Sequence, residues 1–132
     1  MPITYRHDLR PPAEEIVKLY DASPLFRPTR DVERIRRMYD GSNVVLTAWD
    51  DHRLVGILRG WTDFAYDGYV CDLAVHPDYQ KRGIGRELLR RVTDHYGTQV
   101  QWVLRASKIA VDYYKHIGWE PIENGWCWRR EG

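Results

Sequence analysis

From Val75 to Arg86 the chain reads Val-His-Pro-Asp-Tyr-Gln-Lys-Arg-Gly-Ile-Gly-Arg, an apolar run that passes through a glycine pair into an amphipathic segment. Glycine lets backbone approach closely and adopt left-handed dihedrals, and the first N–H groups of a helix have no partner inside it. Gln80, Lys81, Arg82, Gly83, Ile84, Gly85 and Arg86 therefore form an anion-binding arrangement in which a pyrophosphate would fit. Two familiar phosphate loops fit poorly. A Walker-type loop needs Gly-Lys-Ser/Thr, but Gly85 is followed by Arg86-Glu87; a dinucleotide loop needs a small residue where Leu88 stands. The plainer readings are an ordinary strand-to-helix turn for the glycines and a solvated helix start for the three cations.

The elements that must hold this loop follow from periodicity. Ile3 to Arg6 reads as a strand, and Pro11-Pro12 before Ala13-Glu14-Glu15 opens a helix with Ile16, Leu19 and Tyr20 on one face. Ser23 to Pro28 breaks it, and Thr29 is the expected cap of a second helix that Gly41 ends. Asn43 to Trp49 and Arg53 to Trp61 form a β-hairpin around Asp50-Asp51-His52. A turn over Asp63 to Gly68 leads into a strand over Tyr69 to Val75. Ile84, Leu88, Leu89, Val92 and Tyr96 then keep a helical period up to Gly97. Val100 to Leu104 is a further strand, Ser107 to Ile117 a helix with Ser107 as its cap, and Trp119 to Ile122 with Trp126 to Arg130 a closing hairpin. The order is β-α-α-β-β-β-α-β-α-β-β, a mixed α/β fold expected to form a single domain over residues 1–132.

At 132 residues folding buries roughly two-thirds of the unfolded surface, so one core forms without staples. The charge balance is 20 − 19 = +1, which excludes a generally polybasic nucleic-acid or membrane binder and leaves any anion site local. The densest apolar run, Leu54 to Leu58, is strand-sized against the roughly 18 residues of a membrane span. Met1 to Asp8 lacks the apolar run of a secretory signal, so a cytoplasmic location is expected. Cys71 and Cys127 are expected to be buried free thiols, and the five histidines show no metal-ligand spacing, so no protein-bound metal is expected.

Gln80-Lys81-Arg82-Gly83-Ile84-Gly85 is similar to the Gln/Arg-x-x-Gly-x-Gly/Ala loop of the GCN5-related N-acetyltransferase (GNAT) superfamily. Leu73-Ala74-Val75-His76-Pro77 resembles the strand before that loop. Ala110-Val111-Asp112-Tyr113-Tyr114-Lys115-His116-Ile117-Gly118-Trp119 resembles the family's second signature, A-x-x-F/Y-Y-x-x-x-G-F/W. The likeness is close from Tyr69 to Ile122; the N-terminal third matches in element order alone.

This resemblance implies the GNAT fold and acetyl-CoA as acyl donor. Its pyrophosphate would lie on the amides of Gln80 to Arg86. Its pantetheine arm would pair with Leu73, Ala74 and Val75 where the family's sheet splays. Tyr114 matches the family's tyrosine that assists the departing thiolate, while adjacent Tyr113 is expected in the core. A thiol of pKa about 8.5 is a stronger acid than a tyrosine of about 10, so hydrogen-bond donation describes Tyr114 better than full proton transfer. No glutamate stands where well-known members carry their general base; Asp72 is the candidate base, with a structural role an equal alternative. Ser107 replaces a common asparagine and can donate to the cofactor or cap its helix.

The implied reaction is direct transfer of acetyl to a primary amine in a ternary complex, with a small-molecule amine favoured over a protein N-terminus. Acceptor recognition is expected from Leu25, Phe26 and Arg27, from Trp61, Asp63, Phe64, Tyr66 and Asp67, and from Trp126 and Trp128. Aromatics beside two carboxylates suit a cationic amine. The rivals are a non-catalytic acyl-CoA sensor and a nucleotide-binding module on the same loop. A homodimer is an expectation from the family alone.

Overall fold

The computed structural model describes residues 2–7, 9–108 and 110–132. Met1 and Asp8, in the N-terminal segment read above for a signal, and Ile109, inside the expected last helix, lie outside the described residues.

The elements are β1 (Thr4–Arg6), α1 (Ala13–Ala22), α2 (Val32–Asp40), β2 (Val44–Asp50), β3 (Arg53–Thr62), β4 (Asp67–Val75), α3 (Ile84–His95), β5 (Gln101–Leu104) and α4 (Val111–His116). The strands form one sheet in chain order, antiparallel from β1 to β4, with β5 parallel to β4. A parallel neighbour needs a crossover, which α3 supplies. The expected cap of α2, Thr29, is displaced by Asp31, whose carboxylate accepts from Arg34 N at 3.0 Å.

The sheet's two faces carry two cores. Val44, Leu46, Val55, Leu58 and Val70 pack with Ile84, Leu88, Leu89 and Val92 of α3. Val45, Ile57 and Ala74 pack on the other face with Ile16, Leu19 and Tyr20 of α1 and Ile35 and Tyr39 of α2. The period of two along β4 thus sends Leu73 and Val75 to the α3 side and Asp72 and Ala74 to the α1 and α2 side.

Two features shape β4. Its pairing with β3 runs Arg59↔Asp72 and then Gly60↔Val70, leaving Cys71 as an extra residue at a bulge. A Cβ on Gly60 would lie 2.1 Å from Tyr69 O, so only glycine fits there. Second, the β4 and β5 ladder ends at Val70↔Leu104, although β4 continues to Val75. Beyond that point the strands part.

The expected closing hairpin is not formed: among the described residues no strand follows Leu104. Pro121 removes a backbone donor from the middle of the first expected strand. The segment 119–122 instead lies beside β5 across a groove of about 220 Å³. Trp126 and Trp128, at 97 % and 99 % exposure, bury against nothing. The last helix also starts later than expected, at Val111, and Ser107 does not cap it. Cys71 and Cys127 are both unpaired, but Cys71 is half-buried and Cys127 is exposed, where burial was expected for each.

Candidate active site

Where β4 and β5 part, a cleft of about 1040 Å³ opens. One wall is the free edge of β4 from Cys71 to Val75. Cys71 O is turned outward to accept from Arg27 Nη2 at 2.9 Å, and Val75 O outward toward Gln80 Nε2 at 3.4 Å. The pleat's alternation places the Leu73 N–H and C=O on the same free edge, an unused strand register open to an extended ligand.

The glycine loop closes one end. The strand stops at a single 3-10 turn, Pro77–Tyr79, where His76 Nδ1 accepts from Asp78 N at 3.1 Å. Lys81 and Gly83 then take left-handed dihedrals, φ 67° and 77°. For a lysine this conformation is strained by about 1 kcal/mol, and such strain gathers at sites where backbone must face a ligand. Gly83 caps α3 with open space where a Cβ would stand; a Cβ at Gly85 would meet only ordinary contacts with Tyr113, Leu73 and Val75. Both glycines leave bare backbone at the positive end of a 12-residue helix.

Leu73, Ala74, Val75, Gln80, Lys81, Gly83, Ile84, Gly85, Arg86, Ser107 and Tyr114 all line this cleft. Two of the residues singled out for catalysis or for binding the donor do not. Arg82 lies over the Tyr79 ring, 5.0 Å from its centroid. Asp72 is on the opposite face of β4, its side chain fully buried: Oδ1 accepts from Arg27 Nε at 2.7 Å, and Oδ2 from Arg59 Nε at 2.7 Å and Tyr20 OH at 2.6 Å. Burial would raise its pKa, but the bonds and charges of Arg59, Arg27 and Tyr20 win and hold it below the usual carboxylate value. Such a group binds protons weakly and faces no solvent.

Tyr114 is half-buried between Tyr113 and Trp119, edge-on to both at 5.4 and 6.2 Å between centroids. Burial, and then the neighbouring Tyr113, raise its pKa, so its O–H keeps its proton. Tyr113 is not in the core: it is 39 % exposed and lines the cleft.

Arg27, Cys71, Arg105, Tyr113 and His116 also line the cleft and were not assigned to the donor site or to catalysis from sequence. Arg105 had a legible signal, since it follows the last residue of the strand that was expected to part from its neighbour. The carboxylates expected to meet a cationic acceptor lie elsewhere. Asp63 folds back on its own turn, with Oδ1 accepting from the backbone N of Ala65, Tyr66 and Asp67, and the turn sits at the closed end of β4. Phe64 leans on Tyr96. Among the described residues no group of three or more His, Cys, Asp or Glu is placed to hold a metal ion, and no helix is long and apolar enough to cross a membrane.

A family model described as the acetyltransferase (GNAT) domain matches residues 25–127. An acetyltransferase from Sodalis glossinidius is 33 % identical over 90 residues, covering 67 % of this chain and 61 % of that protein. The chain spans about three-fifths of the length of three of the curated relatives it matches and about a third of two from Glycine max. In fold, the crystal structure of protein SA2161 from Staphylococcus aureus superposes with a TM-score of 0.83 at 20 % identity, over 98 % of this chain and 100 % of that one. The structure of AAC(6')-Iy, in complex with the bisubstrate analogue CoA-S-monomethyl-acetylneamine, superposes at 0.72 with 14 % identity, over all of both chains.

Proposed function

Because the chain belongs to the GNAT acetyltransferase family, we propose that it moves acetyl from acetyl-CoA directly to a primary amine, residues 1–132 acting as one transferase domain. The observation that carries this reading is the cleft itself: a free strand edge over Cys71 to Val75 that runs into the left-handed glycine turn at the start of α3.

In this reading the backbone amides around Gly83 to Arg86 and the charges of Lys81 and Arg86 hold the donor's pyrophosphate, and Leu73 to Val75 hold its extended arm. The free Leu73 N–H supplies a donor for the carbonyl oxygen as negative charge develops on it. The new N–C bond forms as the C–S bond breaks. One proton leaves the amine nitrogen and one ends on the CoA sulfur, toward which Tyr114 donates. Full transfer from tyrosine to thiolate would already be uphill by ~2 kcal/mol at ordinary pKa values, and burial of Tyr114 adds to this, so solvent completes the protonation. Asp72 is a positioning residue that fixes Arg27, and the amine proton leaves through water in the open cleft. Ser107 lines the cleft from the loop before α4 and serves as a cofactor donor. The reading places the protein in the cytoplasm, where acetyl-CoA is at hand, with a small-molecule amine as acceptor; light scattering tests the homodimer that the family leads one to expect.

The test is a thermal melt with and without acetyl-CoA, followed by thiol release against a panel of amines. A ligand at a hundred times its Kd adds about 2.7 kcal/mol, several degrees of Tm. A shift with amine-dependent release supports the transferase. A shift without release from any amine supports the sensor, and no shift at millimolar acetyl-CoA overturns both.

A further inference from the structure

The cleft carries the cations Arg27 and Arg105 away from the glycine loop and, among the described residues, no carboxylate lines it at all. Arg27 reaches Cys71 O from the loop between α1 and α2. Arg105 follows Leu104, the last residue paired with β4, so it stands across the opening from Cys71. Arg105 lines the same cleft as Arg27, and its Nη1 also reaches the exposed Cys127 Sγ at 3.8 Å. Both guanidiniums act on the Tyr69 hydroxyl, each opposing the effect of its burial.

The charge is not cancelled from behind. Arg27 and Arg59 share the single carboxylate of Asp72, which leaves 2 − 1 = +1 on the triad. Arg59 is buried, whereas the Arg27 side chain is 25 % exposed and lines the cleft, where its Nη1 donates to the neutral Phe26 O at 2.6 Å. The remaining partners of Arg59 are neutral: Ser42 Oγ at 3.3 Å and the Cys71 thiol at 3.2 Å. Nor does this pair belong to the donor's pyrophosphate. Cys71 and Val75 are four residues apart on an extended strand, so the glycine loop lies roughly 13 Å away.

We propose that the acceptor is a primary amine that also carries an anionic group, a carboxylate or a phosphate, seated between Arg27 and Arg105. This deepens the transferase reading and rests on it. A polycation of the kind an acidic pocket would hold is repelled here, which separates this chain from its structural neighbour with the neamine analogue.

Five amines test it on the full chain at saturating acetyl-CoA: L-phenylalanine and its amide, phosphoethanolamine and ethanolamine, and neamine. The amide has the less basic amine, so reactivity alone would favour it over the acid. The proposal predicts at least about ten-fold higher kcat/KM for an acidic member over its neutral twin, and no release with neamine. Arg105→Gln brings the two members of that pair within a few-fold, and Arg105→Glu favours the neutral one. Arg105 is exposed, so these variants fold where an Arg27 variant need not. Equal or better use of the neutral members or of neamine overturns the anionic acceptor and leaves the transferase standing. Failure of both acids to bind the CoA-saturated protein in calorimetry overturns it as well. Failure of acetyl-CoA itself to bind overturns the transferase reading instead.

Discussion

Arg27 Nε donates to Asp72 Oδ1 at 2.7 Å across 45 positions of sequence, fastening the loop after α1 to the strand that forms the cleft wall. A second guanidinium, Arg59, holds the other oxygen of the same carboxylate at 2.7 Å. One buried anion therefore fixes a loop, a strand and the bulge at Cys71 together. Removing one partner of a buried charge network costs far more than the network contributes, because the remaining charges are left unpaired.

Asp72→Asn is expected to lose about 3–5 kcal/mol of stability at neutral pH, read by urea unfolding. Because the folded pKa of Asp72 is lowered, its contribution is complete above the unfolded value of about 3.9 and disappears as pH falls through the folded one. The gap between wild type and variant should stay constant from about pH 7 to 5 and close below about pH 4. A gap that widens in acid would contradict the assignment.

Gly85→Ala separates binding from folding. A Cβ there meets only contacts of 3.6 Å or more, and alanine is the better helix former by up to about 1 kcal/mol, so Tm should hold or rise. The same methyl group covers amides meant for the pyrophosphate, so calorimetry should show acetyl-CoA binding weakened by about ten-fold or more. Gly83→Ala should weaken acetyl-CoA binding likewise but also lower stability, by about 1 kcal/mol, because of its left-handed φ.

Tyr114→Phe is expected to lower kcat by about ten-fold or more while acetyl-CoA affinity stays within a few-fold, since the ring packs the same way and only the donor is lost. Unchanged turnover would remove Tyr114 from the reaction.

The parts of this molecule written in short range were legible in the sequence. The strand end, glycine turn and helix over 75–96 follow from residues within four positions of one another, and they supply the end of the cleft lined by Val75, Gln80, Lys81 and Gly83 to Arg86. What depended on distance was not. Asp72 reads as a candidate base on its own strand, but its partners Arg59, Arg27 and Tyr20 come from 13, 45 and 52 positions away, and they turn it into a clamp. The closing hairpin follows the Trp and Ile pattern, yet Pro121 breaks its ladder and leaves β5 as the sheet edge. The bulge at Cys71 had a trace in Gly60, whose need for glycine appears only once Tyr69 O is placed beside it.

Gly60→Ala tests that bulge. With Tyr69 O at 2.1 Å from the added Cβ, the strands must separate, and a loss of about 3 kcal/mol is expected in urea unfolding. A loss under about 1 kcal/mol would mean that the bulge absorbs the methyl group.

The most direct test of the cleft is amide hydrogen exchange on the free edge of β4. Acetyl-CoA is expected to slow exchange at Leu73 and in the 81–86 loop, while ADP slows the loop alone. Protection of the loop by both ligands with no change at Leu73 would contradict an extended ligand on that strand, and with it the transferase site.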